Sequence, residues 1–121
     1  MGKLRIAVAT NEKKGLEDSV SNVFGRAKTY TIVDTQDEKV INVKILENPA
    51  VSYHHGAGPI VVKMLIDEGV KLVLANELGF GASELLKQHK VEFMQTKPGT
   101  IAENAIKKAI QANKLLINQS Q

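Results

Sequence analysis

The chain has 121 residues, 43% of them hydrophobic and 24% charged, the size and composition of one globular domain with a core of its own. Cysteine is absent, which excludes disulfides, thiolate catalysis and cysteine-ligated zinc or iron–sulfur sites. Sixteen Lys and Arg against thirteen Asp and Glu give a net charge of +3. The cations are mostly scattered lysines and the aromatics are only three Phe and two Tyr, too few for base stacking or bidentate phosphate readout, so nucleic acid is not an expected partner.

The first residues read as a strand, Leu4–Thr10, and not as a secretory signal. Two β-branched runs follow, Tyr30–Asp34 and Val40–Leu46. The polar stretch Thr35–Lys39 between them predicts a hairpin. A helix is expected to start at Pro59 and stop at Gly69, with Val61, Val62, Leu65 and Ile66 on one face. Lys71–Ala75 is a short buried strand, a helix covers Ala82–Gln88, and Lys90–Met94 is the last strand. Thr100 and Glu103 have the spacing of a capping box. They open a third helix with Ala102, Ala105, Ile106, Ala109 and Ile110 on one stripe. Residues 1–117 form one expected domain, and the polar residues 118–121 a fraying tail. Charges interrupt every apolar run, so no membrane span is expected, and a cytoplasmic location follows from these readings together.

The order β-β-β-α-β-α-β-α calls for an antiparallel hairpin followed by parallel crossovers. The expected fold is therefore a three-layer α/β domain of ribonuclease H-like type, a mixed five-strand sheet in the order 3-2-1-4-5 with three helices. Strands 1, 3, 4 and 5 would end at one edge, where ligands of open α/β sheets bind. Four glycine-marked segments should meet there: Phe24–Arg26, His54–Pro59, Asn76–Gly81 and Lys97–Thr100.

The segment His54-His55-Gly56-Ala57-Gly58-Pro59 places two imidazoles and two glycines before a helix N-terminus. Such an end favours anions, and neutral imidazoles also ligate metals. The pattern suits an anionic ligand that contains metal, and equally a plain phosphate; the plainer alternative is a glycine-rich turn with two exposed histidines. Arg26 reads either as an anion clamp at the same edge or as an ordinary surface cation. His89, at the end of the second helix, belongs at the opposite edge. Catalytic constellations are missing. The central strand carries no carboxylate for a two-metal nuclease, and Asp34 and Glu47 should fall at different edges. There is no Gly-x-Ser-x-Gly elbow and no P-loop. Binding, and not turnover, is the expectation.

Arg5–Thr10, then Val20-Ser21 leading to Phe24-Gly25-Arg26-Ala27, then Glu47-Asn48-Pro49-Ala50 and His55-Gly56-Ala57-Gly58 together resemble the dinitrogenase iron–molybdenum cofactor biosynthesis family. The resemblance runs from about Leu4 to Ala112. It implies a ribonuclease H-like fold without nuclease activity. It further implies a carrier that binds or delivers an iron–sulfur or molybdenum-containing metal–sulfur cluster or its precursor, with cofactor donor and acceptor proteins as partners. On that pattern His54 and His55 are expected metal or cluster contacts, and Arg26, Gly56 and Gly58 shape the anion-binding edge. Val23 stands where members often carry His, and Glu77 adds a negative charge to the loop after the fourth strand. The other class of function open to the chain is a metal-free interaction or regulatory domain that binds a protein partner or an oxyanion. A homodimer sharing the histidine edge would supply four imidazoles, the number a tetrahedral metal takes.

Overall fold

The computed structural model describes residues 2–119, with side chains to residue 112. Strands β1 (Lys3–Thr10), β2 (Thr29–Gln36), β3 (Lys39–Glu47), β4 (Leu72–Ala75) and β5 (Glu92–Gln95) form one sheet in the order β3-β2-β1-β4-β5. β1 pairs antiparallel with β2 and parallel with β4, as the hairpin and the crossovers require. Helices α1 (Ala57–Asp67) and α2 (Phe80–Gln88) cover one face and α3 (Ala102–Gln119) the other. This is the three-layer arrangement expected from the sequence.

β1 is central because its residues can be buried on both faces. Ile6 to Thr10 are wholly buried. Ala7 and Ala9 face α1 and α2, together with Tyr30, Ile32, Val61, Leu65 and Leu86. Ile6 and Val8 face α3, together with Val33, Leu74, Ala102 and Ile106. Each fully buried Leu or Ile in these layers contributes roughly 1.5–3 kcal/mol. Small Ala residues on the α1–α2 side of β1 and along α3 let the helices approach the sheet closely.

Three local expectations need correction. The hairpin loop is not five residues but two, Asp37-Glu38, both left-handed with φ of 52° and 74°. That geometry matches the twist of the flanking strands, and a bulge beside Asp34 and Thr35 takes up the odd residue. Helix α1 begins at Ala57, two residues before Pro59, behind a left-handed Gly56. Proline is tolerated there because its missing N–H still falls among the unpaired groups of the first turn. The start of α3 is not held by a box on Thr100. Instead Ala102 N–H donates to the Asp18 carbonyl at 2.7 Å, and Ile101 accepts from Ala105 at 3.0 Å and bridges Ser19. Helix α3 runs to Gln119, and Ser120 and Gln121 of the expected tail lie outside the described residues.

The two ends of the sheet are secured by different means. At the N-terminal end of β1, Arg5 binds Asp34 through two bonds, Nε to Oδ1 at 2.6 Å and Nη2 to Oδ2 at 3.1 Å, and also donates to the Glu68 carbonyl. The guanidinium holds the Asp34 carboxyl below the usual carboxylate range. Near the C-terminal end, the buried Asp18 carboxylate accepts backbone N–H bonds from Asn11, Glu12, Lys14 and Ser19, which ties down the loop after β1.

Candidate functional site

The C-terminal edge of the parallel strands carries an open cavity of about 350 Å³. Three of the four glycine-marked segments wall it: Val23 to Arg26, then His54 with Ala57 and Gly58, and Glu77 to Gly79 with Ala82. The fourth segment goes elsewhere. Gly99 N–H donates to the Val20 carbonyl at 2.9 Å and Val20 N–H to the Thr100 carbonyl at 2.8 Å, so Lys97–Thr100 braces the start of α3.

The walls meet closely, backbone against backbone at Gly25 and Gly58 and backbone against the Ala82 methyl at Gly58. A Cβ on Gly25 would lie 2.9 Å from the Gly58 nitrogen and 3.1 Å from its Cα, and one on Gly58 would lie 3.3 Å from the Ala82 Cβ. The absence of side chains at 25 and 58 thus lets the 23–26 turn seat on the first turn of α1, and α1 on that of α2. Gly56 is needed for another reason: its φ of +76° is a conformation that only glycine adopts without strain, and nothing lies within 4 Å of where a Cβ would be.

Both helices that border the cavity begin there. The first N–H groups of a helix have no partner within it. Neither α1 nor α2 has a side-chain cap, and neither carries an acidic residue in its first turn; α3, by contrast, has Glu103 in its own. Two positive helix ends uncompensated by their own first turns therefore face one cavity, with Arg26 and His54 on its wall. Glu77, two residues before the Gly79 cap of α2, is the one carboxylate among the lining residues.

Of the residues singled out in the sequence, Arg26, His54 and Gly58 line the cavity. His55 is exposed beside it, and Gly56 stands behind the first turn of α1 as its cap. His89 ends α2 at the far edge, in a groove with Asp67 and Lys63. Asp34 and Glu47 lie toward opposite ends of the sheet, at the Arg5 and Thr29 levels respectively. Among the described residues no three His, Asp or Glu side chains cluster as a metal site, and none of the helices is long and apolar enough to cross a membrane.

Asn48, named in the sequence only within the Glu47-Asn48-Pro49-Ala50 segment and given no role there, has a part in building the cavity. Asn48 is 6% exposed. Its Nδ2 donates to the Gly25 carbonyl at 2.9 Å and the Ala27 carbonyl at 2.8 Å, and its Oδ1 accepts the Ala50 N–H at 2.7 Å. Tyr30, beside it, donates its hydroxyl to the Phe24 carbonyl, and burial pushes that phenol up. Asparagine before proline after a strand is a turn signal; only its partners, over twenty residues earlier, reveal the second use.

These features define a small α/β domain of ribonuclease H-like topology with a cavity at its C-terminal sheet edge, bordered by two helix N-termini. The chain belongs to the dinitrogenase iron-molybdenum cofactor family, whose model matches residues 2–112. Among solved structures it is similar to TM1290 from Thermotoga, which has been proposed to be a NifB protein, with 33% identity and a TM-score of 0.72 over 92% of this chain and 90% of that one. It is also similar to the apo form of the orange protein from Desulfovibrio gigas, with 26% identity and a TM-score of 0.81 over 89% and 88% of the two chains. The uncharacterized protein MJ0580 of Methanocaldococcus jannaschii is 26% identical over 80 residues, 66% of this chain and 68% of that protein.

Proposed function

We propose that this protein is a non-catalytic, cytoplasmic carrier for an anionic metal–sulfur cluster or its precursor, received from a donor protein and passed to an acceptor. One observation carries this reading: two helix N-termini, neither compensated by its own first turn, converge on a cavity that Arg26 also lines. Main-chain N–H groups, a guanidinium and an imidazole are all donors, and together they match the sulfur or oxygen periphery of an anion. Membership of a family named for the iron–molybdenum cofactor supports a cargo that contains metal. His54 would contact it directly from the wall. His55, exposed at the mouth, would reach it from above or, in a homodimer closed over this edge, serve the partner's cargo.

The experiment is anaerobic purification from cells supplied with iron and molybdenum, followed by metal analysis and visible spectra. Wild type is compared with Arg26→Ala and His54→Ala/His55→Ala. Stoichiometric metal with charge-transfer bands, reduced in both variants, is the expected result. A colourless protein that takes up neither tetrathiomolybdate nor iron–sulfur species would overturn it and leave the oxyanion or protein-partner reading.

A further inference from the structure

Two segments supply the cavity's guanidinium and imidazole, the turn around Arg26 and the loop leading to His54. They are 28 residues apart in sequence, and a single buried side chain bonds the first turn and the start of the loop that leads to the second. The carboxamide of Asn48 spends its two hydrogens on the carbonyls of Gly25 and Ala27, the residues immediately before and after Arg26. Its oxygen takes the Ala50 N–H, and the Ala50 carbonyl in turn accepts Tyr53 N–H at 3.0 Å, which brings the chain to His54. The Asn48 N–H adds a bond to the Lys28 carbonyl at 3.1 Å. The Tyr30 hydroxyl closes the set, 3.2 Å from the amide nitrogen and bonded to the Phe24 carbonyl.

We propose that Asn48 is the positioning residue of the cavity: its amide sets the Arg26 turn against the His54 loop, and it acts on the ligand through Arg26 without touching it. This assignment rests on the anion-binding reading above. The chemistry asks for an amide in particular. Two carbonyls need two donors on one atom and an N–H needs an acceptor on the other, and among side chains of this length only asparagine offers both. Loss of the amide leaves those backbone groups to find water, so the turn gains freedom and Arg26 must be ordered again at each binding event.

The test uses Asn48→Ala, Arg26→Ala and the double variant, titrated anaerobically with tetrathiomolybdate, alongside backbone ¹⁵N relaxation of the ligand-free proteins. Asn48→Ala is expected to bind about tenfold more weakly, and the double variant no more weakly than Arg26→Ala alone, because residues acting through one another are not additive. The amides of Gly25, Arg26 and Ala27 should gain mobility while those of Val8 and Leu74 keep theirs. Unchanged affinity, additive losses or unchanged relaxation at 25–27 would each overturn the assignment. If Asn48→Ala does not fold, Asn48→Ser, which can still hold one carbonyl, carries the same measurements. If the wild type itself ignores tetrathiomolybdate, the anion reading falls and relaxation alone decides: a turn that stays rigid without the amide refutes the positioning role, and one that loosens upholds it.

Discussion

Replacing Gly25 by alanine tests how the cavity is built. The new methyl carbon would meet three backbone atoms of α1, the Gly58 nitrogen at 2.9 Å, the Gly58 Cα at 3.1 Å and the Ala57 carbonyl carbon at 3.4 Å. No rotamer change relieves contacts with main chain, so the turn must withdraw from the helix by about 0.5 Å to reach ordinary contact distance. Overpacking of this kind costs about 1–3 kcal/mol. For a domain of this length that lowers the melting temperature by about 3–15 °C, depending on how the strain is shared. The second consequence concerns binding: the methyl sits against the Gly58 N–H, one of the donors of the first turn. Gly25→Ala should therefore weaken tetrathiomolybdate binding beyond what its stability loss explains, with the variant still fully folded at 20 °C. Scanning calorimetry and anaerobic titration read the two effects separately. A variant with unchanged melting temperature and unchanged affinity would refute the close approach.

Gly56→Ala should also destabilise, by about 1 kcal/mol, but from backbone strain at φ +76° and not from crowding; Gly56→Asn should recover part of the loss in urea titrations, and equal losses would count against this cause. The Asp34 carboxyl is lowered chiefly by its hydrogen bond from Arg5, so the unfolded state binds its proton more readily. The stability it lends is whole above the ordinary aspartate value near 4 and fades as pH falls through the lowered one. Asp34→Asn should cost about 0.5–1 kcal/mol at pH 7 and flatten the acid limb of the stability profile; an unchanged limb would show that the pair is not what titrates. Phe80, 82% exposed at the start of α2, should be replaceable by serine within about 0.5 kcal/mol in equilibrium denaturation, and a larger drop would mean that the ring packs against something.

Much of the fold is legible in the sequence because hydrophobic periodicity and connection rules leave few arrangements. The β-branched runs at 30–34 and 40–46 can only be a hairpin, and the helices between later strands force parallel crossovers. That places the ends of β1, β3, β4 and β5 on one side, and with them the segments around Arg26, His54 and Glu77. What stays hidden is set by partners distant in the chain. Gly99 looks like Gly25 in sequence, yet it is left-handed in open space and Val20 accepts its N–H, which takes it to the α3 side. Adjacent histidines look equivalent in sequence, but only His54 reaches the cavity wall. Thr100 and Glu103 have the spacing of a cap, while the bond that holds Ala102 comes from Asp18, across the loop. Local pattern sees what a residue can do; the tertiary neighbour decides which option is used.

The close approach of Gly25 to Gly58, and of Gly58 to the Ala82 methyl, leaves no room for a long side chain where the three walls meet. The spacing of the walls is then set largely by main-chain dimensions, and on the anion-binding reading selection should depend on diameter as well as charge. Across a graded set of tetrahedral and cluster anions, affinity should hold up to one size and then drop abruptly, as it does at the rim of a sieve.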